Sequence, residues 1–176
     1  MTQPTTAKFR IPFLSKNREG GINLYQNCGE LKGNVCPVLR STPSNNNRVI
    51  NNTFVNMGVS GVHVASRQGR KHSLGWCATL DGQPGQFTDT AKDNVVSNNT
   101  FVCSEGTALI VNNGPNTVCN NSTISRDKCV PFEISTGGLG PTASALLDGI
   151  VFAGNSIDSG RPPRLRSLSP NVSIAD

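Results

Sequence analysis

No stretch of this 176-residue chain holds 18 consecutive apolar residues, so no segment reads as a membrane-spanning helix. Met1 to Arg18 has no apolar core flanked by positive charge, and no secretory leader is visible there. The six cysteines form no CxxC pair and have no histidine at zinc-ligand spacing. Aromatic residues make up only 5% of the chain, with one Trp and one Tyr, against 18 Gly and 11 Pro. That balance disfavours a helical protein and fits a turn-rich β chain. The length suffices for a single domain, 1–176, with a modest core.

What the chain does contain is a repeat. Residues 94–101, NVVSNNTF, fall on residues 47–54, NRVINNTF, when slid back by 47. A third copy, NTVCNN at 116–121, lies 22 residues further on; a fourth, IVFAGNSI at 150–157, keeps the apolar run, the Asn and the final apolar residue. Each copy is a short β-branched run, an Asn and a second strand-like piece, without the 3.6-residue apolar spacing of a helix. A 22-residue step suits one turn of a coil with three short strands and three bends. The 47-residue step then holds one turn plus a loop of about two dozen residues leaving at a bend. The prediction is an all-β chain folded as a right-handed parallel β-helix of about five coils. Core coils span about 20–160, with an N-terminal strand or cap over 1–18 and, over 160–176, an irregular C-terminal tail or a last irregular coil.

Aligning the copies assigns faces. Asn52, Asn99, Asn121 and Asn155 share one column, where stacked amides bond from coil to coil at a tight bend as an Asn ladder. Downstream of each, strand alternation sends Ile22/Leu24, Val62/Val64, Leu109/Val111 and Phe132/Ile134 inward. Asn23, His63, Ile110 and Glu133 point outward, and counting on from Asn155 puts Arg166 next in that outward column.

The remaining segments read as excursions. Residues 28–46 and 67–92 are long insertions at bends, and Gly137–Pro141 begins a third, followed by a helical turn or extended piece at 142–147. Pro162 and Pro163 argue against a central strand in the tail. Six cysteines allow 15 pairings, of which Cys28 with Cys36 and Cys119 with Cys129 are local, leaving Cys77 with Cys103 by elimination. The alternative is reduced thiols, with Cys119 inward in the column of Ile50 and Ser97. Of the glycosylation sequons at Asn51, Asn98, Asn120, Asn121 and Asn171, only the last is expected to be usable, the others being locked into coils.

The NRVINNTF repeat with the GVHV that follows it at 61–64 resembles the right-handed β-helix repeat of the pectin-lyase-like superfamily, over roughly residues 20–160. That superfamily includes polysaccharide lyases, glycoside hydrolases, epimerases and phage tailspikes. The resemblance implies an extracellular protein acting on a polysaccharide. In its lyases a Lys, Arg, His or Tyr removes the proton next to a sugar carboxylate, while a Ca²⁺ ion or a cationic side chain neutralises that carboxylate.

His63 and Glu133 are the catalytic candidates on this reading, about two coils or roughly 10 Å apart on one face. Tyr25, Asn112, Arg166 and the excursion residues Arg67, Arg70, Lys71 and Trp76 are the substrate-binding candidates. Against catalysis, Ile110 interrupts the column, and neither three aligned carboxylates nor the paired Asp of the hydrolases is present. No metal ligand set or resident cofactor is expected, with Ca²⁺ left open. The net charge of +5 and pI near 9.1 favour an acidic polysaccharide as partner, rather than nucleic acid or membrane. The sequence thus supports a lyase-like enzyme or fragment, with a non-catalytic glycan-binding or structural solenoid, surface or tailspike-like, as the rival. Oligomeric state is not encoded in any pattern found.

Overall fold

The computed structural model describes residues 8–9, 14–15, 20–25, 43–65, 90–137 and 141–175. Its strands come in threes. The first coil holds β1 (Lys8–Phe9), β2 (Leu14–Ser15) and β3 (Ile22–Leu24), and the second β4 (Arg48–Ile50), β5 (Thr53–Val55) and β6 (Ser60–Val64). The third holds β7 (Asn94–Ser97), β8 (Thr100–Cys103) and β9 (Thr107–Val111). The fourth holds β10 (Asn116–Cys119), β11 (Ser122–Ser125) and β12 (Val130–Ile134). After a 3₁₀ helix, Pro141–Leu147, the fifth has β13 (Ile150–Ala153), β14 (Ser156–Ser159) and β15 (Arg164–Leu165), and β16 (Ser173–Ala175) opens a sixth.

Equivalent strands stack in parallel into three sheets. Sheet A is β1-β4-β7-β10-β13-β16, sheet B β14-β11-β8-β5-β2 and sheet C β15-β12-β9-β6-β3. The fold is a parallel β-helix, as the repeat predicts.

The Asn-Asn doublets make the corner between sheets A and B. Asn51, Asn98 and Asn120 have φ of 59°, 55° and 55°, and Gly154 takes the same place with 61°. Asn and Gly are the residues that enter this left-handed region at least cost. The turn aims the next residue, Asn52, Asn99, Asn121 or Asn155, into the interior. There Asn52, Asn99 and Asn121 each donate the backbone N–H and Nδ2 to Oδ1 of the next Asn, at 2.8–3.0 Å. Nδ2 of Asn99, Asn121 and Asn155 also caps a strand carbonyl one coil below, on Val49, Val96 and Val118. The ladder therefore satisfies buried backbone groups that a tight bend would otherwise strand.

A second ladder runs at the entry to sheet A. Asn47 donates to Asn94 and Asn94 to Asn116 in the same two-donor pattern, at 2.8 and 3.0 Å for each pair. Asn46 and Asp93 precede it with positive φ.

The core is the set of inward columns. Val49, Val96, Val118 and Phe152 come from sheet A, Phe54 and Phe101 from sheet B, and Val62, Val64, Leu109, Val111, Phe132 and Ile134 from sheet C, all buried. Phe54 and Phe101 stack at 5.0 Å between centroids, and Phe132 and Phe152 at 4.2 Å.

Several expectations are corrected. Cys129 bonds Cys103, with Cα atoms 5.8 Å apart, and not Cys119, which is a free thiol. This also removes the Cys77–Cys103 pairing. In a solenoid the residue one coil away is a nearer neighbour than one ten positions along, since the latter has turned a corner onto another sheet. Cys119 is not inward either: Val118 takes the interior position on β10, and Cys119 is half-exposed. Cys28, Cys36 and Cys77 themselves lie outside the described residues.

The segment after residue 160 is a last, largely irregular coil with two short strands. It forms β15 and β16, with Pro162 and Pro163 just ahead of an edge strand that tolerates them. Finally, the sequon residues Asn51, Asn98 and Asn120 are exposed, because the first Asn of each doublet makes the turn and the second makes the rung.

Candidate functional site

Sheet C carries two outward columns. Strand register aligns Asn23, His63, Ile110, Glu133 and Arg164 in the first. Just past the strands, the backbone N–H of Ala65, Asn112, Ser135 and Arg166 each bonds a carbonyl one coil below, on Leu24, Val64, Val111 and Ile134. Tyr25, Ala65, Asn112, Ser135 and Arg166 therefore form the second column. Arg166 belongs to this one, and Arg164 holds the place expected of it. The cause is a shorter corner in the fifth coil: Arg164 stands nine residues after its ladder Asn, where His63 and Ile110 stand eleven after theirs.

The two columns are stitched into one polar chain. His63 Nε2 lies 2.8 Å from Asn112 Oδ1. Asn112 Nδ2 donates to the Ser135 carbonyl at 2.9 Å and to Ser135 Oγ at 3.1 Å. A carbonyl accepts only from the amide nitrogen, which fixes the Asn112 amide and makes His63 Nε2 the donor in its bond. Ser135 Oγ donates to Glu133 Oε1 at 2.8 Å, and Arg164 Nη1 to Glu133 Oε2 at 2.7 Å. His63 and Glu133, two coils apart, are thus connected through buried Asn112 and Ser135.

This geometry has chemical consequences. Glu133 has both carboxylate oxygens engaged, one by a hydroxyl and one by a guanidinium. These two bonds fix the orientation of its carboxylate. His63 presents a half-exposed ring whose Nε2 proton is committed to Asn112. Ile110 separates the two in their column. Among the described residues, no group of three or more His, Cys, Asp or Glu is arranged to hold a metal ion. Among them too, no helix is long and apolar enough to cross a membrane.

The long connections all leave at the edge formed by the second column: 25–47 after β3, 65–93 after β6 and 135–149 after β12. Tyr25 is half-buried at the foot of that column, and Arg166 is exposed at its head. Arg67, Arg70, Lys71 and Trp76 belong to the connection after β6 and lie outside the described residues.

Sequence reasoning missed Ser135 and Arg164. Ser135 carries no residue-type signal, though its alignment with Asn112 was available from the repeat. Arg164 was concealed by the two-residue contraction of the last corner.

The sequence matches no family model, no curated protein and no solved structure at a significant level.

Proposed function

We propose that the outer face of sheet C is a non-catalytic binding surface for an acidic polysaccharide, lying along the coil axis across the two polar columns. The observation that carries this reading is the continuous hydrogen-bonded polar chain from His63 to Arg164. Its groups are held in place by one another, as suits a rigid hydrogen-bonding template, while its only carboxylate is already neutralised. Rungs repeat at about 4.8 Å, comparable with the length of one sugar residue, so successive units meet equivalent positions. Arg166, exposed at the head of the second column, supplies a cation for a sugar carboxylate, and the net charge of +5 favours an anionic chain. The Cys103–Cys129 bond supports an oxidising, extracellular setting.

A second reading, a pectin-lyase-like enzyme, is favoured by one observation: the His63 imidazole is half-exposed and its ring is oriented by Asn112. Titration calorimetry with polygalacturonate, alginate and a glycosaminoglycan, run beside ultraviolet detection of unsaturated product, separates the two. Saturable, salt-weakened binding that falls in Arg166→Ala, with no product, is the expected result. Product formed by the unaltered protein and lost in His63→Ala replaces it with the lyase reading. Absence of binding to all three removes both.

A further inference from the structure

The two amides of each Asn doublet have opposite fates. The second Asn is a buried rung; Asn99 and Asn121, for example, have Oδ1 and Nδ2 bonded to neighbouring coils. The first, Asn51, Asn98 or Asn120, is exposed at the corner between sheets A and B, with φ of 59°, 55° and 55°. Their backbone N–H groups donate to the next coil, at the carbonyls of Ser97, Cys119 and Ala153. Their side-chain amides make no hydrogen bond among the described residues. What the fold uses at these three positions is backbone alone.

The same three residues open Asn-x-Ser/Thr triplets, completed by Thr53, Thr100 and Ser122. Register puts those hydroxyls in one outward column of sheet B, where Thr53 and Thr100 are half-exposed and Ser122 is exposed. Across the corner, the last outward column of sheet A holds Ile50, Ser97 and Cys119. None of these flanking residues is charged, so a substituent on a corner amide displaces no ion pair of theirs. A fourth triplet, Asn121-Ser122-Thr123, overlaps the third and has the opposite environment. Asn121 is 3% exposed, and its Nδ2 donates to Asn155 Oδ1 at 2.8 Å and to the Val96 carbonyl at 3.0 Å. Both of its amide hydrogens are committed.

We propose that Asn51, Asn98 and Asn120 are acceptors of N-linked oligosaccharide, which makes the corner between sheets A and B a glycan-bearing edge. An Asn-x-Ser/Thr triplet at the surface of a chain with a disulfide is the setting for this modification, and the Cys103–Cys129 bond supplies the second condition. In the transfer, Nδ2 attacks the anomeric carbon of an oligosaccharide carried on a lipid pyrophosphate. A C–N bond forms, the C–O bond to the pyrophosphate breaks, the lipid pyrophosphate leaves with its electron pair, and the amide gives up one proton to the transferase. The fold then acts as a filter. A glycan at the corner projects into solvent and leaves the left-handed turn and its backbone bond intact, whereas one on Asn121 takes an amide hydrogen from the ladder and has no room. The acceptor corner joins sheets A and B, away from the polar columns of sheet C, and this inference is independent of any polysaccharide bound there.

The full chain, directed by a cleavable leader through the secretory pathway of cultured animal cells, provides the test. Secreted protein is treated with a glycan-releasing amidase in heavy-oxygen water, which converts each glycosylated Asn to labelled Asp, and peptide fragmentation places the label. Label is expected at one or more of Asn51, Asn98 and Asn120, and none at Asn121. The combined variant Asn51→Gly, Asn98→Gly, Asn120→Gly keeps residues suited to the left-handed turn. It is expected to be secreted with an unchanged circular dichroism spectrum and to migrate faster than the unaltered protein. Secreted protein without label at the three corner positions overturns the proposal. Label at Asn121, or equal migration of the variant and the unaltered protein, does the same.

Discussion

Asn99 donates both its backbone N–H and its Nδ2 to Oδ1 of Asn121, each at 3.0 Å, while its own Oδ1 receives the same pair of bonds from Asn52. One side chain therefore joins three coils. Removing it takes away the Oδ1 that accepts from the Asn52 backbone N–H and Nδ2, and the Nδ2 that donates to the Val49 carbonyl, in a buried interior. Asn99→Ala is expected to cost about 3 kcal/mol, since each buried polar group left unpaired costs about 1–3 kcal/mol. Urea unfolding measures this, and a loss below about 1 kcal/mol counts against the ladder as a stabilising element.

The neighbouring position follows a different rule. Asn98 is exposed with φ of 55°, so its value lies in its backbone and not in its contacts. Asn98→Gly is expected to leave stability nearly unchanged, whereas Asn98→Val destabilises by about 1–2 kcal/mol through left-handed strain. Equal effects of the two substitutions in thermal melts contradict that assignment.

Non-reducing peptide mapping is expected to recover Cys103 joined to Cys129, and Cys119 in an unbridged peptide or alkylated. The bond closes a loop of 26 residues, and the double change Cys103→Ala, Cys129→Ala is expected to lower stability by about 3 kcal/mol. A Cys119–Cys129 peptide from folded protein refutes the connectivity.

Arg126 holds Asp158 with two guanidinium bonds, 3.0 Å to Oδ1 and 2.6 Å to Oδ2. The hydrogen bonding first, and the guanidinium charge second, keep the Asp158 carboxyl below its ordinary value. A carboxyl depressed in the folded state adds stability above its unfolded value and loses that contribution as pH falls through the folded one. Asp158→Asn is therefore expected to flatten the acid side of the stability–pH curve slightly and leave it unchanged near neutrality relative to its own plateau. Because the pair is solvent-exposed, the effect is small and shrinks further in high salt. A steeper acid limb in the variant reverses the expected sign.

The chain's own repeats determined the architecture. Identical Asn doublets at steps of 47 and 22 residues impose identical turns, and identical turns stack, so coil number, ladder and inward columns follow from spacing alone. His63, Ile110 and Glu133 share a face for the same reason. Tertiary structure decided whatever depends on corners of unequal length. Only the stacked coils bring Cys103 beside Cys129, because their nearness runs across layers and not along the chain. Only the contracted fifth corner puts Arg164 against Glu133 and moves Arg166 to the next column. Whether an inward-facing aliphatic is buried depends on the layer stacked on it: Ile157 shares the inward column of Phe101, which is 1% exposed, yet is itself 37% exposed.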